Sequence, residues 1–171
     1  DNNIEHGPLE CLFTVDEETG LTGAFALEAD FLKGRTLLNL DSEDEGQVFI
    51  GCAGGKDTIA KLNIDFTDVD KNFIPYIINV KGLKGGHSGD DIHKGLGNAN
   101  KILVRILWEA YEKFDIKISD FDGGNLRNAI AREAFAHIYI NPDKNLNFID
   151  WIINISNIIK NEFKITEPLL E

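Results

Sequence analysis

At 171 residues with 43% hydrophobic side chains, the chain has room for one domain, or one and a fraction, and can bury a real core, which excludes a disordered polymer. A formal net charge of −12, with 17 basic residues against 29 acidic and no basic stripe, argues against nucleic acid, whose phosphates need clustered Lys and Arg. No apolar run approaches the roughly 20 residues of a membrane span.

The start, Asp1-Asn2-Asn3-Ile4-Glu5, does not read as a charged-then-apolar leader. With no methionine anywhere, the sequence is expected to be an internal piece of something longer. Residues 9–15, apolar except for Glu10 and Thr14, predict a strand, and Asp16-Glu17-Glu18-Thr19-Gly20 follows at its end. A helix-like segment is predicted over 21–27, then strands over 36–40 and 47–53. Between those strands lies Asp41-Ser42-Glu43-Asp44-Glu45-Gly46, and Gly54-Gly55 ends this part. Strand, helix, strand, strand is α/β grammar.

Acidic clusters in an acidic chain are usually solvated turns. Glu17 and Glu18 differ in sitting between a predicted strand and a helical segment, at the carboxyl end where open α/β sheets bind ligands. Carboxylates held there are also hard oxygen donors suited to divalent metals. Cys11 and Cys52 fall inside predicted strands and are expected to be buried free thiols of a reducing compartment.

From residue 55 the texture changes. Strands are predicted over 58–66 and 73–80, followed by the glycine-rich run Gly82-Leu83-Lys84-Gly85-Gly86-His87-Ser88-Gly89. A helix over 98–114 carries Ala99, Ile102, Leu103, Ile106, Leu107, Ala110, Tyr111 and Phe114 on one stripe. Strands follow over 116–121 and 134–140, and a second helix over 146–163 carries Ile149, Ile152, Ile153, Ile159 and Phe163. The order β-β-α-β-β-α predicts an α+β, ferredoxin-like lobe: an antiparallel sheet with two helices on one face.

Several motifs fail on inspection. The acidic block from Asp41 has Cys52 where a calcium loop needs a bidentate Glu, and strands are predicted on both flanks. Gly54-Gly55-Lys56-Asp57 lacks the spacing and the hydroxyl residue of a phosphate loop, and no histidine pair has zinc-protease helical spacing. Asn154-Ile155-Ser156 lies in a predicted helix and is not read as a glycosylation site. His93 and His137 are expected to be structural. His87 stands apart: packing alone gives no reason for an imidazole among four glycines, which let a backbone come close to a ligand. Asn128, between predicted strands, is a turn residue whose carboxamide offers both a donor and an acceptor.

Taken together, several blocks in order resemble one family. They are His6-Gly7-Pro8-Leu9-Glu10, Asp16-Glu17-Glu18-Thr19-Gly20, Asp41-Ser42-Glu43, Gly51-Cys52-Ala53-Gly54-Gly55, the run from Gly82 to Gly89, Asp91-Ile92-His93, Gly97-Asn98-Ala99-Asn100-Lys101 and Arg127-Asn128-Ala129-Ile130. The chain resembles the aminoacyl-histidine (Xaa-His) dipeptidases, co-catalytic zinc metallopeptidases, up to about Ile140. The resemblance implies that Glu17 is the general base toward a metal-bridging water, Glu18 a ligand of one zinc and Asp41 a ligand of the other. It implies that His87 is a lid histidine stabilising the oxyanion and Asn128 a lid asparagine contacting substrate. Residues 1–54 would be part of the α/β catalytic domain and 55–171 the first lobe of an inserted lid. The intact parent would be a cytoplasmic hydrolase with two Zn²⁺ ions acting on small dipeptides, with self-association possible through the lid.

Departures qualify this. Ala131 stands where the family has proline, and no His-x-Asp occurs anywhere. Each zinc would find about one protein ligand here against the three or four it takes. The isolated chain is therefore expected to bind zinc weakly and hydrolyse nothing. Competing readings are a non-catalytic α+β binding or dimerisation module, and a related metal-dependent amidase or carboxypeptidase. The Gly-Gly-His-Ser-Gly and Gly-Asn-Ala-Asn-Lys runs favour the dipeptidase.

Overall fold

The computed structural model describes residues 4–41, 45–52 and 54–171. The chain divides into two compact units, Asp1–Ile59 and Ala60–Glu171.

The second unit is built on a three-stranded antiparallel sheet in the order β1-β3-β2, with β1 at Ile74–Val80, β2 at Lys117–Gly123 and β3 at Ala134–Ile140. Alternation decides the faces of β3: Ala134, Ala136, Ile138 and Ile140 are buried, while Phe135, His137 and Tyr139 are half-exposed on the other side. Both outer strands are antiparallel to β3, so they run parallel to each other. In register, Val80 of β1 and Gly123 of β2 both face Ala134, which brings their carboxyl ends to one end of the sheet.

Helix α3 (Ala99–Phe114) crosses from β1 to β2. Asn98 starts it in extended conformation, its side chain accepting the Lys101 amide at 3.2 Å, and Asp115 ends it in the left-handed region. The predicted stripe is the buried face, except that Tyr111 is exposed. Burying each large apolar side chain on it contributes about 1.5–3 kcal/mol. Helix α4 (Asn145–Glu162) follows a 3₁₀ turn, Pro142–Lys144, in which Asn141 accepts the Asp143 amide. Phe148, Ile155 and Ile159 are its buried residues, and Ile153 is exposed, contrary to the predicted stripe. An edge-to-face contact between Phe114 and Phe148, 5.5 Å between centroids, joins the helices. The Tyr76 hydroxyl donates to Asn145 Oδ1 at 2.8 Å and ties α4 to β1.

The strand predicted over 58–66 does not form. Ile59, Leu62, Ile64 and Phe66 are exposed, and alternation alone cannot make a strand without a neighbour to supply the ladder.

The first unit departs further from expectation. Its helices, α1 (Glu17–Gly20) and α2 (Thr22–Phe25), are single turns, so the helix predicted over 21–27 is cut to one turn. None of the predicted strands over 9–15, 36–40 and 47–53 forms among the described residues; Ala53 and Ser42, Glu43 and Asp44 lie outside them. Phe13, Leu40, Val48 and Ile50 are exposed, so among the described residues these runs have neither a paired edge nor a covering layer. For the same reason Cys11 and Cys52, expected to be buried, are exposed, and both are free thiols. The Glu10 carboxylate gathers the Lys33 and Gly34 amides at 3.0 and 2.6 Å.

Candidate functional site

The common end of β1 and β2 carries two loops. One runs from Val80 to α3 and contains His87; the other joins β2 to β3 and contains Asn128. They are hydrogen-bonded along each other. The Ser88 amide donates to the Asn128 carbonyl and the Ile130 amide to the Gly86 carbonyl, both at 2.8 Å, and His87 faces Ala129 in an antiparallel bridge. Behind them the Ala99 amide donates to the Ala131 carbonyl at 2.9 Å and Arg132 Nε to the Leu83 carbonyl at 3.3 Å. His87 and Asn128, 41 positions apart by number, are thus two points on one tip, and both are exposed.

Within the tip, His87 is restrained through its main chain and its ring. Its amide donates to Asp91 Oδ2 at 2.7 Å, and its Nδ1 accepts the Gly89 and Asp90 amides at 3.1 Å each. Lys94 Nζ donates to the other Asp91 oxygen at 2.5 Å. The Lys94 ammonium and then the His87 amide hold the Asp91 carboxyl below the usual aspartate range. The base of the loop is fixed by Glu167, which is 2% exposed. Its Oε2 accepts the Lys84 amide at 2.8 Å and its Oε1 the Gly97 amide at 2.9 Å, so one carboxylate brackets the loop from both ends.

In the first unit, Asp16 adopts the left-handed conformation at φ 58°, turning the chain into α1. Its carboxylate accepts the Thr22 hydroxyl at 2.5 Å, and its carbonyl the Leu21 amide at 2.7 Å. Glu17 and Glu18 occupy the first turn of α1 and are exposed. Asp41 is exposed too, its amide donating to Asn39 Oδ1 at 3.2 Å. No three His, Cys, Asp or Glu side chains among the described residues form a group able to hold a metal. The carboxylates described here do not amount to a zinc shell.

Sequence reasoning counts Asp91 among the resembling blocks without giving it a role, and passes over Glu167. Asp91 left a faint signal, an acid four positions beyond a glycine-flanked histidine; Glu167 left none, since its partners lie 83 and 70 positions away. Of the two histidines expected to be structural, His137 is half-buried on β3 with Asp120 Oδ2 3.7 Å from its Nδ1, and His93 is exposed in the 3₁₀ turn Ile92–Lys94.

Comparison with known proteins places these loops. The chain is 49% identical over 163 residues to the cytosol non-specific dipeptidase of Escherichia coli (strain K12), covering 95% of this chain and 33% of that protein. It is 28% identical over 138 residues to the uncharacterized protein YqjE of Bacillus subtilis (strain 168), covering 78% of this chain and 32% of that one. Among solved structures it is similar to the aminoacylhistidine dipeptidase from Vibrio alginolyticus, with a TM-score of 0.73 and 40% identity over 100% of this chain and 35% of that one. The chain therefore spans about a third of the length of these relatives. Residues 58–167 match the family described as Peptidase dimerisation domain. That stretch holds the three strands, both long helices, the paired His87 and Asn128 loops and the Glu167 bracket, and the chain belongs to the peptidase dimerisation domain family.

Proposed function

We propose that this chain is part of a dipeptidase that cleaves Xaa-His dipeptides, and that its second unit presents His87 and Asn128 to the substrate as one body. The observation that carries this is the direct pairing of the two loops, Ser88 amide to Asn128 carbonyl and Ile130 amide to Gly86 carbonyl. A donor that must meet a developing oxyanion works best when pre-aimed, and a histidine N–H on a braced loop meets that need. The Asn128 carboxamide, with a donor and an acceptor, suits a peptide's own donor and acceptor. Glu17, exposed on α1, is a carboxylate free to take a proton from the attacking water and deliver it to the leaving amine.

Glu18 and Asp41 would each offer one carboxylate to a two-zinc centre, fewer ligands than zinc takes, so the chain by itself does not hydrolyse peptides. Glu17→Gln in the whole enzyme tests the proton-transfer role: kcat is expected to fall severely with metal content intact, and an unchanged kcat removes Glu17 from the reaction. The cytosol in the E. coli relative's name and the two free thiols favour a cytoplasmic enzyme.

The same unit also pairs with a second copy of itself. Val104, Trp108 and Tyr111 are exposed at successive turns of α3, Trp108 at 67%, and Ile118 of β2 is exposed as well. An aromatic strip of this kind on a member of a dimerisation-domain family is the face we assign to self-association.

A further inference from the structure

The pattern of bonds around His87 specifies which ring nitrogen carries its proton. A neutral imidazole has one N–H and one bare nitrogen. Nδ1 lies 3.1 Å from both the Gly89 and the Asp90 amide nitrogens, each aimed at it as a donor. A proton on Nδ1 would confront two N–H hydrogens. The Asp90 carboxylate would favour it, but its Oδ2 is 3.6 Å away, beyond a hydrogen bond. Two made bonds outweigh one that is not made, so the proton belongs on Nε2.

This arrangement depends on the turn from residue 87 to residue 91, and one side chain closes that turn. Asp91 Oδ2 accepts the His87 amide at 2.7 Å, while the Asp91 amide donates back to the His87 carbonyl at 3.1 Å. We propose that Asp91 is the positioning residue of the tip: it locks the turn so that Nδ1 receives two amides and the ring presents Nε2–H as a fixed donor.

Three features fit a carboxylate at this position. Both of its oxygens are used, one by the His87 amide and one by Lys94 Nζ. Lys94, at the end of the Ile92–Lys94 turn, keeps the group charged and in place. Room for it is made by Gly86: a Cβ there would lie 2.7 Å from Asp91 Oδ2 and 2.9 Å from its Cβ. Any residue larger than glycine at 86 would push the carboxylate off the amide.

The use of Nε2–H as the oxyanion donor rests on the reading of His87 given above; the tautomer and its dependence on Asp91 do not. The test is therefore made on the tautomer, in the ¹⁵N-labelled chain at a pH where the ring is neutral, from long-range ¹H–¹⁵N correlations of the imidazole. His87 is expected to show a single Nε2–H form with an acceptor-type Nδ1. Asp91→Ala is expected to move its Nδ1 signal toward that of the exposed His93 and to speed amide exchange at Gly89 and Asp90. Asp91→Asn, which keeps an accepting oxygen, is expected to restore most of the pattern. Gly86→Ala, which displaces the carboxylate without altering residue 91, is expected to reproduce the loss. A single Nε2–H form persisting in both Asp91→Ala and Gly86→Ala would overturn the proposal, as would a mixture of tautomers in the unaltered chain. If the tautomer behaves as described but His87→Ala leaves turnover of the whole enzyme unchanged, the catalytic reading fails and the positioning role stands.

Discussion

Glu167 accepts the Gly97 amide at 2.9 Å from a side chain that is 2% exposed, while its second oxygen takes the Lys84 amide. The two bonds bracket a loop that is also held by His87's own turn, the zip to residues 128–131, the Arg132–Leu83 bond and the Lys81–Glu171 pairing. Removing the carboxylate takes the acceptor from the buried Gly97 N–H and from the partly buried Lys84 N–H. Glu167→Ala is expected to destabilise the second unit by about 2–3 kcal/mol, the range for losing hydrogen bonds to a charged acceptor. Both tryptophans, Trp108 and Trp151, lie in that unit, so fluorescence-monitored urea unfolding reads it alone. A change under 0.5 kcal/mol, roughly the size expected of an ordinary surface substitution, would show that the bracket is dispensable.

Gly82 is the second fixed point of the loop. Its φ of +79° is one that L side chains rarely adopt, and an added Cβ would run into the Leu169 carbonyl. That carbonyl precedes the segment in which Glu171 exchanges both main-chain bonds with Lys81, at 2.9 and 3.1 Å. Gly82→Ala is expected to cost more than about 1 kcal/mol and to release the Lys81–Glu171 pairing, seen as faster amide exchange at Lys81. Retained protection at Lys81 would mean that the neighbouring backbone yields without cost.

Self-association through α3 makes a separate claim. Sedimentation of the chain is expected to show a dimer, and Trp108→Ala to weaken it by about 2 kcal/mol, roughly thirtyfold in Kd. A monomer at high concentration, or a dimer indifferent to Trp108 and Val104, would put the interface elsewhere.

An ion pair between the helices gives the acid limb of stability one identifiable contributor. Arg105 of α3 reaches Glu162 at the end of α4 through two nitrogens, at 2.6 and 3.0 Å. The hydrogen bonds from Arg105 and then its charge hold the Glu162 carboxyl below the usual 4.5. A folded-state pKa below the unfolded one stabilises the fold above the unfolded value and ceases to do so as pH falls through the folded value. Arg105→Gln is therefore expected to be less stable than the unaltered chain at neutral pH, with the difference closing below pH 4.5. Both side chains are substantially exposed, so added salt is expected to shrink the difference as well. A gap that persists unchanged at acid pH would point to lost packing by the Arg105 stem instead.

What sequence could reveal followed from how local each signal was. Strand β3 is legible at 134–140 from alternation alone, and α3 from its apolar stripe, whereas the Asn98 cap emerges only from the structure. Residues 9–15 and 58–66 carry comparable apolar patterns, yet form no strand, because a ladder needs a partner that no local pattern supplies. At the site, His87 and Asn128 were nameable from their motifs, but their pairing follows from β1 and β2 ending together beside Ala134, a fact of topology. Glu167 lies 70 positions from Gly97, and nothing in the intervening sequence connects them.

The most direct measurement is steady-state turnover of an Xaa-His dipeptide by the whole enzyme carrying His87→Ala beside the unaltered protein. If the braced tip supplies the oxyanion donor, kcat is expected to fall about 10²–10³-fold. A kcat within twofold of the original, with the tip still folded, would contradict it.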